Sequence, residues 1–290
     1  MTAESTAYAD DIIKLALEED LGPGDITTRM LFSKPFVVSA EIIAKENGVL
    51  CGLDAAERVF KLLDKRVVFH RKSHDGLALK KGRVICVVTG RVDAILAAER
   101  TALNFLGRLS GISALTRKYV DAVRPYKVRI MDTRKTTPGL RVLEKYAVKI
   151  GGGYNHRRGL YDQILVKDNH IRAFKVQGSR FKGKKSLTQL IERIRRKIKG
   201  RAKIEIEVEN LRDLKEVIEA GPDIIMLDNM NLQNLRKAVK LIQRGRASIE
   251  ASGGVNLKNV RAIACAGVDM ISIGSLTHSA GSLDFSLEIL

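Results

Sequence analysis

The sequence predicts a two-part α/β protein: a mixed α and β first third, then a β–α repeat folded as a barrel or partial barrel. Three observations carry this. From residue 127 onward six apolar runs recur, KVRIMDT, QILVKDNHI, KIEIEVEN, DIIMLDN, SIEASGG and DMISIGS, each ending in polar residues or glycine. Amphipathic segments at 186–199, 211–220, 231–244 and 256–266 separate the later runs, the pattern of parallel strands covered by helices. No dinucleotide glycine fingerprint follows the first run, which favours a barrel over a doubly wound sheet.

The first third is read element by element. Residues 10–19 place Ile12, Ile13, Leu15, Ala16 and Leu17 at helical spacing, and LGPGDITT ends that helix. Strands are expected at 36–44 and 83–89. Between them a helix over 54–63 follows Gly52, with Asp54 as its cap. A long helical stretch runs from Val92 to about Val123. Gly107 and Gly111 weaken its middle, so it is one bent helix or two.

Composition bounds the function. The 290 residues are 45% apolar and 29% charged, as in a folded globular chain. No run is long enough for a membrane helix, and the acidic start lacks an export pattern, so a cytoplasmic protein is expected. Cys51, Cys86 and Cys265 lie far apart and are expected as buried small hydrophobes, not as zinc ligands. Lysine and arginine number 51 against 33 aspartate and glutamate, a net charge of +18 that draws anions. Between Arg180 and Lys203 there are 11 basic residues and one acidic residue, read first as a solvated helix face. Aromatic residues are only 5%, and no zinc-finger or RNP pattern is present, which argues against a nucleic-acid partner.

Barrel enzymes place their chemistry at the C-terminal ends of the strands. Here those ends read Asp132-Thr133-Arg134-Lys135, Lys167-Asp168-Asn169-His170, Glu207 with Glu209, Asp228-Asn229, Ser252-Gly253-Gly254 and Gly274-Ser275. Nearly all are chargeable or expose backbone amides. Glycines followed by a helix start suit a phosphate monoester, to which His278 could add a donor. In KIEIEVEN, Ile204, Ile206 and Val208 alternate with Glu205, Glu207 and Glu209. Carboxylates facing a barrel interior need a purpose: binding ribose hydroxyls, holding Mg²⁺, or pairing with Lys167. Arg134, Lys135, Arg141, His156, Arg157, Arg158 and Lys167 form a basic set suited to a substrate with several anionic groups. No Ser-His-Asp, Cys-His or HExxH arrangement stands out, so electrostatic and positional chemistry is expected.

Taken together, EEDLGPGDITT, AERTALNFLGRLSGI, DTRKTTPGLR, KIGGGYNHRRGLYDQILVKDNHI, EIEVEN, IMLDNM, EASGGV and ISIGSLTHSA occur in an order that resembles the quinolinate phosphoribosyltransferases, also called nicotinate-nucleotide pyrophosphorylases (carboxylating). The resemblance runs nearly end to end. It implies an N-terminal α/β sandwich domain over 1–115, to which a tail from about 277–290 returns, and an open or incomplete α/β barrel over 116–276. It also implies a reaction. Quinolinate and 5-phosphoribosyl-1-pyrophosphate would give nicotinate mononucleotide, pyrophosphate and carbon dioxide with Mg²⁺, as in NAD biosynthesis. Family members are dimers with shared active sites, some assembled into hexamers.

Carried onto this chain, Thr133, Arg134, His156 and Arg157 would bind quinolinate, with Arg100 reaching in from the partner subunit. Lys135 and Lys167 would hold pyrophosphate oxygens. Glu207 and Asp228 would bind ribose hydroxyls or organise Mg²⁺, directly or through water. Ser252, Gly253, Gly254, Gly274 and His278 would surround the 5′-phosphate.

Overall fold

The computed structural model describes residues 3–180, 186–198, 202–242 and 247–290. In chain order the elements are α1 (Ala3–Leu21), α2 (Ile26–Leu31), β1 (Val37–Ala44), β2 (Gly48–Val49), α3 (Leu53–Leu63), β3 (Val68–Arg71), β4 (Ala78–Leu79), β5 (Val84–Arg91), α4 (Val92–Val123), β6 (Arg129–Met131), α5 (Arg141–Ile150), β7 (Ile164–Val166), α6 (Asp168–Arg180), α7 (Leu187–Ile198), β8 (Ile204–Val208), α8 (Leu211–Ala220), β9 (Ile224–Asp228), α9 (Leu232–Ile242), β10 (Ser248–Ser252), α10 (Val260–Cys265), β11 (Met270–Ser272), α11 (Ser275–His278) and β12 (Phe285–Ile289). They group into two compact units. The first holds 1–117, 135–153 and 275–290, and the second holds 118–134 and 154–274. Residues 135–153, assigned from sequence to the barrel part, therefore group with the first unit.

The first unit is built on a four-stranded antiparallel sheet in the order β12-β1-β5-β3. Alternation in β1 buries Ala40, Ile42 and Ala44 on one face, as a half-covered sheet requires. The chain's last strand completes the sheet, with Ala40 opposite Ile289. Gly107 and Gly111 do not break α4, which is a single continuous helix of 32 residues. They are needed because the returning tail lies against it. A Cβ on Gly107 would stand 2.7 Å from the Leu283 carbonyl oxygen, and one on Gly111 would overlap that of Gly281. The Leu283 N–H bonds to the Gly107 carbonyl at 3.0 Å.

The cap of α3 differs from expectation. Gly52 holds the N-cap position at φ 108° with no side chain to offer. Asp75 caps instead, accepting from the Gly52 and Leu53 N–H groups at 3.0 and 3.2 Å and from the Tyr146 hydroxyl at 2.9 Å. Asp54 lies in the first turn and pairs with Arg71. Cys51 and Cys86 are buried as expected, whereas Cys265 is exposed near the end of α10.

The second unit is a six-stranded, wholly parallel sheet in the order β6-β11-β10-β9-β8-β7. Tyr154 adds a parallel bridge to Met131 on the side of β6 away from β11. Among the described residues no ladder joins the Tyr154 segment to β7, so the barrel is open there. The sheet is covered: all five residues of β8 are buried. Helix α8 has sharp ends, with Asn210 accepting from the N–H groups of Arg212 and Asp213 and Gly221 in the left-handed region after it. Register places Glu207, Met226, Glu250 and Met270 in one row across the inner face, and Asp228, Ser252, Ser272 and Met131 in the next. Met131, Ile224 and Met270 form an apolar cluster.

The basic segment 180–203 lies partly outside the described residues. Within it, α7 buries Leu187 and Ile191, and Arg195 donates to the Gly221 carbonyl at 2.6 Å, as on a helix whose basic face meets solvent. Among the described residues no helix is long and apolar enough to cross a membrane.

Candidate active site

Because the strands are parallel, their C-terminal ends gather at one end of the second unit, and Thr133, Arg134, Lys167, Glu207, Asp228, Ser252, Gly253, Gly254 and Gly274 all lie at or just beyond those ends. His156 and Arg157 follow the Tyr154 bridge. Arg100, Lys135 and His278 belong to the first unit. There Arg100 is exposed on α4. The Thr277 hydroxyl donates to the Lys135 carbonyl at 2.7 Å, linking the segments that carry Lys135 and His278.

The carboxylates fall into two groups at different depths. Lys167 Nζ meets Glu207 Oε2 at 2.9 Å, the pairing left open by the sequence. Glu207, Glu209 and Asp228 offer oxygens that lie within 4.8 Å of one another. Deeper in, His156 Nε2 faces Glu205 Oε2 at 3.2 Å and Glu250 Oε1 at 3.5 Å, all three side chains buried. Burial pushes the Glu205 carboxyl up, its contact with His156 opposes that, and Glu250 pushes it up again. Burial alone would lower the His156 pKa, but the hydrogen bonds and charges of Glu205 and Glu250 outweigh it and raise it to about 10. His156 Nδ1, however, accepts the Arg157 N–H at 2.8 Å, which requires a free lone pair on Nδ1. The 2.8 Å approach of the Arg157 N–H disfavours a proton on Nδ1, so the ring proton between His156 and the two carboxylates is assigned to Nε2.

Two buried acidic side chains anchor this loop. Asp132 accepts the His156 N–H at 2.9 Å and the Asn155 amide at 2.5 Å. Glu205 also accepts from Gln163 Nε2 at 2.7 Å. Arg157 is buried, and its pKa is pushed down first by burial and then by the Arg134 guanidinium nearby. Two close guanidiniums that repel each other make a receptor for an anion with two carboxylates.

The glycine turn after β10 is built tightly. Asn229 sits at φ 53°, its N–H bonded to the Ser252 carbonyl at 2.9 Å and its side chain to Asp228 at 2.7 Å. A Cβ on Gly253, at φ 85°, would stand 2.2 Å from Asn229 Oδ1. Gly253→Ala is therefore expected to displace Asn229 and Asp228 with it. Left-handed strain alone costs about 1–2 kcal/mol. A lowered Tm and weaker binding of inorganic phosphate would show it, and unchanged phosphate binding would detach this turn from an anion.

The expected helix start after GGVN lies further on, since α10 begins only at Val260. The intervening N–H groups of Asn256, Lys258 and Asn259 are taken by the side chains of Asn259 and Asn256. Any anion site here thus rests on the glycine turn and not on a helix N-terminus. Asp132 and Asn229 stand among the strand-end residues read from sequence but without a role, and Gln163 and Glu250 have no place in that reading. For Glu250 a signal existed, since SIEAS alternates polar and apolar residues just as KIEIEVEN does.

A parallel, open α/β barrel whose strand ends combine paired guanidiniums, a lysine–carboxylate pair and a glycine turn defines an enzyme acting on multiply anionic small molecules. Residues 25–110 match the family model "Quinolinate phosphoribosyl transferase, N-terminal domain" and residues 112–288 match its C-terminal domain. The chain belongs to this family. It is 43% identical over 273 residues to a probable nicotinate-nucleotide pyrophosphorylase [carboxylating] of Bacillus subtilis, covering 93% of this chain and 90% of that one. NadC from Streptococcus pyogenes superposes with a TM-score of 0.88 at 43% identity, covering 97% and 96% of the two chains. The nicotinate-nucleotide pyrophosphorylase of Francisella tularensis gives 0.88 at 35% identity, covering 98% and 96%.

Proposed function

We propose that the protein transfers the phosphoribosyl group of 5-phosphoribosyl-1-pyrophosphate to quinolinate with loss of carbon dioxide, forming nicotinate mononucleotide and pyrophosphate for NAD biosynthesis. The observation that carries this is the buried Arg157 beside Arg134, a charge pair suited to a dicarboxylate, at the end of a barrel that also presents Lys167, Glu207 and Asp228.

In this reading Arg134 and Arg157, helped by Thr133 and His156, hold the two carboxylates of quinolinate. Lys167 and Lys135 stabilise the pyrophosphate that leaves with the electron pair of the anomeric C–O bond. Glu207 and Asp228 favour the cationic ribose ring that develops. The pyridine nitrogen then forms the new bond to the anomeric carbon and becomes positively charged. The bond from ring carbon 2 to its carboxylate breaks, its electron pair stays on the ring, and a solvent proton replaces carbon dioxide. The Ser252, Gly253, Gly254 and Gly274 turns, with His278, receive the 5′-phosphate.

The oxygen-rich set Glu207, Glu209 and Asp228 suits Mg²⁺, a hard cation. Glu207 and Asp228 would hold it, directly or through water, and it would offset pyrophosphate charge. Exposed Arg100 is suited to complete the site of a partner subunit in a homodimer, which could assemble further into a hexamer. Large apolar side chains exposed on the same unit, Ile26, Met30, Leu31 and Val37, favour such an interface. Three unpaired cysteines fit a reducing cytoplasm.

The test is release of carbon dioxide from carboxyl-labelled quinolinate, with and without the phosphoribosyl donor and Mg²⁺. Release that depends on both, with an equal amount of nicotinate mononucleotide formed, is expected. No release from folded protein would move the reaction to another aromatic acid.

A further inference from the structure

Glu205, His156, Arg157 and Gln163 are linked within the second unit by three hydrogen bonds and one close contact between a carboxylate and an imidazole. Glu205 Oε2 accepts from Gln163 Nε2 at 2.7 Å and faces His156 Nε2 at 3.2 Å. His156 Nδ1 accepts the Arg157 N–H at 2.8 Å, and Arg157 Nη1 donates to the Gln163 carbonyl at 3.3 Å. Glu250 supports this set from the next-but-one strand: its Oε1 lies 3.5 Å from His156 Nε2 and accepts from the Ser272 hydroxyl at 2.5 Å. Glu205 is 0% exposed and Glu250 1%. Two buried carboxylates are a poor choice for stability alone, since apolar residues of similar size would cost less to bury.

We infer that Glu205 is a positioning residue for Arg157, acting through the His156 ring, with Glu250 and Gln163 as its supports. Glu205 fixes which His156 nitrogen carries the proton. That leaves Nδ1 free to hold the Arg157 backbone N–H, while Gln163 holds the guanidinium end of the same residue. Arg157 is thus gripped at both ends by groups that trace back to one carboxylate. Such rigidity matters for a clamp, because a small misplacement of a bidentate contact forfeits much of its energy. On this account part of what His156 contributes to quinolinate binding passes through Arg157.

The inference rests on the proposed reaction for its functional reading, but not for its structural one. Nitrogen NMR of the wild-type chain is expected to show His156 with a proton on Nε2. Glu205→Ala is expected to shift both the His156 ring signals and the Arg157 amide. An unmoved Arg157 amide would overturn the relay, whatever the substrate is. In catalysis, Glu205→Ala should weaken quinolinate binding by about tenfold or more, with the donor KM changed less than about twofold. Glu205→Gln keeps an acceptor oxygen and should recover part of the loss. In an Arg157→Ala background, Glu205→Ala should cost little more. Independent, additive losses would make Glu205 a separate contributor and sink the inference. Failure of the wild-type chain to bind quinolinate at all would instead count against the proposed substrate. A thermal melt of each variant identifies any that does not fold.

Discussion

Arg157→Ala is expected to raise the KM for quinolinate by roughly two to three orders of magnitude, with a much smaller fall in kcat. The guanidinium is buried, is held by the Gln163 carbonyl and lies beside Arg134. Removing one partner of a buried, hydrogen-bonded charge contact costs about 2–5 kcal/mol, and each 1.4 kcal/mol is about tenfold in affinity. The clamp holds carboxylates that are present both before and in the transition state, so the loss should fall on binding. Arg157→Lys should restore only part of it, because an ammonium cannot make the bidentate contact. Stability should move the other way or not at all, since the substitution relieves repulsion with Arg134. Lys135→Ala provides the contrast: it should chiefly lower kcat, because leaving charge develops only as the reaction proceeds. Matching effects of the two variants on KM and kcat would refute this division of roles.

The barrel was legible because its strands are covered on both faces. A buried parallel strand must be apolar through most of its length and can turn polar only where it ends, so β7 to β11 stood out as apolar runs with chemistry at their tips. Elements whose burial depends on something distant were harder to see. Helix α5 buries Glu144 and Lys145, which blurs its apolar stripe. Strand β3 is mostly exposed, and β12 is a strand only because it pairs with β1. Gly107 and Gly111 read as weak points in a helix. Their cause, the tail backbone lying against α4, is 170 or more residues further along the chain and leaves no local mark.

In the site, alternation told which residues share a face but not how deep each sits or what it meets. Glu205 and Glu207 are equivalent by spacing. One meets a buried histidine and the other an accessible lysine. His156 shows the same limit. Its place beside Arg157 in NHRRG points to substrate, but nothing in that segment shows that its Nε2 faces Glu205 and Glu250. Glu250 carries the same alternating signal as Glu205, but the residues that share its face in the strand, two serines, are uncharged and leave the signal weak.

Arg108→Ala is expected to be the most destabilising single substitution considered for the first unit, by about 3–5 kcal/mol. Glu144 is fully buried and pairs with Arg108 at 2.6 Å; it also accepts from the Thr137 N–H at 3.0 Å and hydroxyl at 2.8 Å. Arg108 further donates to the carbonyls of Thr277 and Ala280. Without the guanidinium, a carboxylate stays buried with only neutral partners, and two carbonyls lose a charged donor. A lower urea midpoint with an unchanged slope would show the loss. Glu144→Gln should cost less, because the amide keeps an acceptor for Thr137 and leaves no buried anion. The informative variant replaces both, Arg108→Met with Glu144→Leu. Apolar packing should return much of the stability, since a buried pair is rarely better than a hydrophobic one. Activity should not return with it. The pair ties the segment that carries Lys135 to the segment that carries His278, and two apolar side chains cannot hold those backbones by their carbonyls. A double variant that regained both stability and turnover would show that Arg108 and Glu144 serve the fold alone.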